Sequence, residues 1–79
     1  MNINNISPVN FDANKIFIPR NVQGNCLKDR PYLYNEMVDL LKGKSLTALF
    51  KNEGIEVSNP TKKFIEEIKS KGIKFDEIV

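Results

Sequence analysis

Glycine and proline divide this chain into short segments, and the division limits the elements that it can form. Five such residues mark the boundaries: Pro31, Gly43, Gly54, Pro60 and Gly72. Proline is favoured in the first turn of a helix, and glycine commonly takes the left-handed position just after a helix ends. The spacing therefore predicts three short helices, at residues 31–42, 45–53 and 60–71.

Apolar side chains recur at helical spacing inside each of the three segments. They are Leu33, Met37, Leu40 and Leu41 in the first, Leu46, Leu49 and Phe50 in the second, and Phe64, Ile65 and Ile68 in the third. Residues three or four apart lie on one face of a helix, so each segment offers an apolar stripe to a shared core. Ser45 and Asn59 are suited to cap the second and third helices. Because only Gly43 and Lys44 separate the first two, we expect a helical corner.

Short β-favouring runs complete the predicted fold, at residues 15–19, 55–57 and 73–79. Pro19 ends the first run, which predicts an edge strand because proline cannot donate to a neighbouring strand. The first 14 residues are rich in Asn and show no apolar period, so we expect a flexible arm at 1–14 and one domain at 15–79. The expected fold class is α+β: a small three-helix corner with two or three short edge strands.

The composition argues against catalysis, metal binding and membrane insertion. The chain of 79 residues has no histidine and a single cysteine, Cys26. Histidine is the usual general base and a common zinc ligand, so we expect neither an enzyme nor a metal or cofactor site. No apolar run approaches the roughly 20 residues that cross a bilayer, and the N-terminus lacks the pattern of a secretory signal. These features predict a binding protein of the cytoplasm.

The second half of the chain, residues 45–73, resembles the helix-turn-helix of bacterial winged-helix regulators. In that family an L-x-x-L helix precedes a G-x-x-V-S-x-x-T corner, and the recognition helix ends in glycine and an apolar residue. The residues that carry the resemblance are Leu46, Leu49, Gly54, Val57, Ser58, Thr61, Gly72 and Ile73. The wing of the family is missing, because only seven residues follow Gly72.

The resemblance implies a nucleic-acid-binding regulator with a recognition helix that starts near residue 60. It would place Asn59, Thr61, Lys62 and Lys63 at the end of the helix that faces nucleic acid. There Asn59 would reach bases, and the other three would contact phosphates. Lys69, further along the same helix, is expected to add a phosphate contact. The net charge is +2, and the excess consists of lysines in the second half of the chain.

Two other interpretations stay open at this point. The charged side chains of the third helix are also spaced i,i+4 as Lys62 with Glu66 and Lys63 with Glu67, which is typical of a solvated helix face. Alternatively, the chain is a protein interaction module, such as a phage or bacterial inhibitor, adaptor or effector domain. In that case Tyr32 and the neighbouring Arg30 are the expected contacts, because exposed aromatic and arginine side chains often anchor interfaces. Such a small domain could also form a homodimer.

Overall fold

The computed structural model describes residues 15–78, so the predicted arm at 1–14 lies outside the described residues. The elements in chain order are β1 (Lys15–Pro19), α1 (Leu33–Leu41), β2 (Thr47–Lys51), β3 (Gly54–Ser58), α2 (Lys62–Ser70) and β4 (Asp76–Ile78). The class is α+β, as expected. The predicted three-helix corner is wrong, because the described residues form two helices and one sheet of four strands.

The sheet has the strand order β2-β3-β1-β4, and all of its neighbouring strands are antiparallel. Each helix connects two strands that are not neighbours: α1 leads from β1 to β2 with β3 between them, and α2 leads from β3 to β4 with β1 between them. This is the element order of the split βαβ motif. The prediction of β1 and of residues 55–57 as edge strands is also wrong. β1 pairs with β3 on one side and β4 on the other, and residues 55–57 belong to β3, which lies between β2 and β1.

The segment predicted as the second helix, 45–53, is instead the edge strand β2 with the turn that follows it. A short apolar run fits a helix and a strand equally well when periodicity is the only guide. Here Thr47 and Phe50 also favour extended backbone, and Gly54 lies at φ +156°, a conformation that side chains rarely adopt. Only Asn52 and Glu53 separate β2 from β3, so the two strands form a tight hairpin.

The core lies between one face of the sheet and the two helices. Ile16 faces Val57 and Ile18 faces Ile55 across β1 and β3, so all four side chains point to the same face. The buried side chains of the helices and of the segment after α2 pack against them: Leu33, Met37, Phe64, Ile65, Ile68 and Ile73. At about 25 cal/mol per Å² of apolar surface, this single cluster is the main stabilising term of so small a domain.

Local hydrogen bonds define both ends of α2, and they correct the residue predicted to cap its start. Thr61, not Asn59, caps the helix, because the Thr61 Oγ1 atom accepts a hydrogen bond of 3.1 Å from the Phe64 N–H. Asn59 lies in the preceding turn with φ 50°, a left-handed conformation that Asn tolerates better than most residues. Gly72 ends the helix with φ 78°, and the Ile73 N–H returns to the Ile68 carbonyl at 3.1 Å, as the predicted glycine stop requires.

A buried amide joins the loop after β1 to the rest of the sheet. Asn25 is fully buried, and its Nδ2 atom donates to the carbonyl oxygens of Pro19 at 2.7 Å and Lys74 at 2.9 Å. Its Oδ1 atom accepts from the Lys74 N–H at 2.9 Å. Asn25 therefore connects the end of β1 with the segment that leads into β4.

Candidate nucleic-acid interface

A concavity of about 420 Å³ lies between the loop after α1 and the start of α2. Its polar lining consists of Lys42, Lys44, Ser45, Thr61 and Lys63. Three lysines and two residues with hydroxyl groups thus line the same concavity. Such groups donate hydrogen bonds, which makes the concavity suited to an anion.

The β2–β3 hairpin brings the two walls of this concavity together. Thr47 at the start of β2 faces Ser58 at the end of β3. The residues just before β2 and those just after β3 are therefore neighbours, although they are far apart in sequence. Gly43, at φ 74°, turns the chain after α1 so that Lys44 and Ser45 reach this position.

The start of α2 presents positive charge to the concavity. No acidic residue lies in its first turn. The N–H groups of Phe64 and Ile65 bond to the Thr61 side chain and carbonyl, whereas those of Lys62 and Lys63 form no hydrogen bond within residues 15–78. The first N–H groups of a helix and its dipole attract anions, phosphate in particular.

Lys44 is held in place by α1 and α2 together. Its Nζ atom donates to the Leu40 carbonyl at 2.6 Å and lies 3.2 Å from the Glu67 Oε1 atom. Glu67 Oε1 is shielded from solvent and accepts no hydrogen bond within residues 15–78, so its contact with Lys44 is an ion pair only. Because an ammonium group has three N–H donors and the bond to the Leu40 carbonyl uses one of them, Lys44 keeps at least one donor for a ligand.

The other lysines at this end are more accessible. Lys42 forms an exposed ion pair of 3.4 Å with Asp39, which contributes little to stability and is readily exchanged. Lys62 and Lys63 are exposed and form no ion pair among the described residues. The i,i+4 partner predicted for Lys63, Glu67, is taken by Lys44 instead. Lys62 and Lys63 are therefore available to an external anion.

The residues predicted to touch nucleic acid do not all lie together. Thr61 and Lys63 line the concavity, and Lys62 is the adjacent first residue of α2. Asn59 is exposed in the turn before the helix. Lys69 lies in the last turn of α2, roughly 10 Å further along the helix axis than Lys62, near the negative end of the helix dipole.

Sequence reasoning missed Lys42, Lys44 and Ser45. The signal that was available is the run of two lysines and a serine around Gly43, directly after a helix. The sequence does not indicate that this run lies next to the start of α2, because their proximity depends on the β2–β3 hairpin.

The two residues predicted for a protein interface differ in their surroundings. Tyr32 is 68% exposed at the start of α1. Arg30 is largely engaged within the molecule, since its guanidinium donates to Glu36 Oε1 and to the Lys71 carbonyl, both at 2.5 Å. Arg30 thereby connects α1 with the end of α2.

A separate small network surrounds Cys26. Asp29 Oδ2 accepts hydrogen bonds from the Gly24 N–H at 2.8 Å and the Cys26 Sγ–H at 3.3 Å. The Gly24 bond, followed by the Cys26 bond, holds the pKa of Asp29 below its ordinary value. Cys26 is partly exposed and lacks a histidine partner, because the chain contains none.

The described part of the chain offers neither a cluster of metal ligands nor a membrane-spanning helix. Residues 15–78 contain no group of three or more metal-ligating side chains. Neither of the two helices in that range is long and apolar enough to cross a membrane.

No family model, curated protein or solved structure matches this chain. The resemblance to winged-helix regulators thus stays a prediction. The L-x-x-L segment that it aligns with a helix, around Leu46 and Leu49, leads into and forms part of strand β2.

Proposed function

We propose that this chain is a small non-catalytic nucleic-acid-binding protein that works in the cytoplasm, and that its contact surface is the phosphate concavity. We use this name for the concavity lined by Lys42, Lys44, Ser45, Thr61 and Lys63. The observation that carries the proposal is the convergence of three lysines on the start of α2. There two N–H groups form no hydrogen bond within residues 15–78, and the first turn contains no acidic residue. A role as a regulator is the corresponding biological proposal.

The hydrogen-bond donors of the phosphate concavity indicate the type of ligand that it would bind. Ammonium groups and helix N–H groups recognise phosphate oxygens and carry little information about base sequence. Arginine, whose planar fork is the usual reader of guanine, is absent beyond Arg30. We therefore expect binding that tolerates many sequences and weakens steeply as salt increases.

The test is fluorescence anisotropy with a labelled duplex of random sequence, a single-stranded DNA and an RNA of the same length, from low to physiological salt. The informative variant is Lys42→Gln with Lys63→Gln, which removes two charges from the phosphate concavity. Lys28→Gln with Lys74→Gln is the matched control, because both are exposed lysines outside the lining of the concavity.

The expected result is that the first double variant lowers the slope of log affinity against log salt on the duplex by about 2, while the control lowers it by much less. If the wild-type protein binds none of the three nucleic acids at low salt, the proposal is wrong. Equal losses in the two double variants would point to diffuse charge and not to this surface.

A protein interaction module is the second candidate, and the exposure of Tyr32 favours it. The Tyr32 and Leu27 side chains are each 68% exposed, and large exposed apolar side chains of this kind often anchor a partner. A partner protein recovered with the wild-type chain should bind at least tenfold more weakly to Tyr32→Ala and unchanged to Val38→Ala. Unchanged binding to Tyr32→Ala would remove the basis of this alternative.

A further inference from the structure

The edge strand β2 is the least protected part of the sheet. It has one strand neighbour, β3, within the described residues, so the N–H and C=O groups along its other side lack a strand partner there. It contains no proline, and its apolar side chains Leu49 and Phe50 are 53% and 39% exposed. Exposed edges of this kind pair readily with further strands.

The opposite edge is different. Strand β4 has three residues, and two of them, Asp76 and Glu77, are acidic. Short length and charge are common ways to prevent pairing at an edge. Among residues 15–78, the β4 edge is therefore protected against further strands, whereas no described strand covers the β2 edge.

We propose that β2 pairs with β2 of a second copy of this chain, antiparallel and around a two-fold axis that passes Leu49. Two antiparallel edge strands of one sheet can be related only by an axis perpendicular to the sheet. Residues that face each other must then lie on the same face of the sheet in both copies. Pairing the whole strand Thr47–Lys51 with itself places Leu49 opposite Leu49.

The side chains match in this register. The small Ala48 lies opposite the larger Phe50 of the second copy, and both point to the helix side of the sheet. Lys51 lies opposite Thr47, so no like charges meet. Lys51 also keeps its own counterion, since its Nζ atom is 3.7 Å from Glu56 Oε1 in the same copy.

Other two-fold registers fit less well. A shift toward the hairpin places Phe50 opposite itself and Lys51 opposite Leu49, and it extends the pairing into the turn at Asn52. A shift the other way places Ala48 opposite itself and moves Lys51 beyond the start of β2. Only the register centred on Leu49 uses all five residues of the strand.

The size of the contact predicts its strength. A five-residue strand with two exposed apolar side chains buries less than the roughly 800 Å² per partner of a standard interface. We therefore expect a reversible dimer with a dissociation constant in the micromolar range or weaker, with one continuous sheet across both copies. This inference is independent of nucleic-acid binding.

Sedimentation equilibrium from micromolar to millimolar protein tests the proposal with charge variants at the axis. Leu49→Glu and Leu49→Lys each place like charges opposite each other and should raise the dissociation constant of the dimer at least tenfold. An equimolar mixture of the two variants should recover a dimer of mixed composition. Val38→Glu, on the exposed side of α1, is the control and should dimerise like the wild type.

Disulfide formation gives a second test that tolerates partial loss of stability. In a Cys26→Ser background, Leu49→Cys places two Cα atoms about 5 Å apart across the axis, within the range of a disulfide. Ala48→Cys places them about 8 Å apart, which is too far. Rapid cross-linking of Leu49→Cys alone supports the proposal.

Two results would overturn the inference. One is a wild-type chain that stays monomeric up to millimolar concentration, together with equal cross-linking of Leu49→Cys and Ala48→Cys. The other is a dimer that Leu49→Glu and Leu49→Lys leave intact, which would place the contact elsewhere.

Discussion

Replacement of Asn25 by alanine should remove a large part of the stability of this domain. The side chain is fully buried and makes three hydrogen bonds, to the carbonyls of Pro19 and Lys74 and from the Lys74 N–H. At about 1 to 1.5 kcal/mol for each bond, the loss is about 3 to 5 kcal/mol. A domain of roughly 65 residues has about 3 to 10 kcal/mol in total.

The assay is urea unfolding followed by far-ultraviolet circular dichroism, with the free energy of unfolding extrapolated to water. Asn21→Ala is the matched control, because Asn21 is exposed in the same loop, and it should change stability by less than about 0.5 kcal/mol. If Asn25→Ala unfolds within about 1 kcal/mol of the wild type, the three bonds do not hold the loop as described.

Asn25→Asp adds a dependence on pH that has a definite sign. The new carboxylate keeps the acceptor for the Lys74 N–H but faces two carbonyl oxygens where the amide donated. Burial and these oxygens raise the pKa of the carboxyl group in the folded state above its value in the unfolded chain. The variant should therefore be least stable at neutral pH and recover part of the deficit as pH falls through the folded pKa, because the protonated group can donate again. A deficit that does not depend on pH would contradict this.

Three further substitutions test other parts of the fold. Thr61→Ala should lower the free energy of unfolding by about 0.5 to 2 kcal/mol, because it removes the cap of α2. Thr61→Ser, which keeps the hydroxyl group, should retain most of that free energy. Equal stability of the two variants would argue against the cap. Gly54→Ala should lower the free energy of unfolding by more than about 1 kcal/mol. An added Cβ atom would lie 2.4 Å from the Ile18 carbonyl oxygen and 2.6 Å from the Phe17 ring. Unchanged stability would mean that the strand ends shift freely to make room. Asp29→Asn should be less stable than the wild type near neutral pH, because the pKa of Asp29 is lowered in the folded state and its carboxylate therefore stabilises the fold. The difference should shrink as pH falls below 3.8, since protonation of Asp29 removes this stabilisation. A difference that is constant down to pH 2 would contradict the lowered pKa.

Several elements were predictable from local signals, and one was not. Pro31, Gly43, Pro60 and Gly72 lie near the ends of the two real helices, where backbone conformation is set mainly by neighbouring residues. The segment around Leu49 carries the same helical spacing and yet forms β2. Its outcome depends on the tight turn into β3 and on pairing with that strand, and neither can be judged from spacing.

Only part of the candidate site could be predicted, because the rest depends on the same misassigned segment. Thr61 and Lys63 were expected from the start of a helix, which is a local feature. Lys42 and Lys44 are near them because Thr47 pairs with Ser58, and that pairing exists only if residues 47–51 form a strand. The error in one element therefore hid two of the three lysines that line the phosphate concavity.

The salt dependence of duplex binding tests the central claim most directly. The wild-type chain, Lys42→Gln with Lys63→Gln, and Lys28→Gln with Lys74→Gln should be compared on one duplex over the same range of salt. We expect the slope of log affinity against log salt to fall by about 2 for the first pair and to change far less for the second. Identical slopes for all three proteins, or no binding at low salt, would contradict the account.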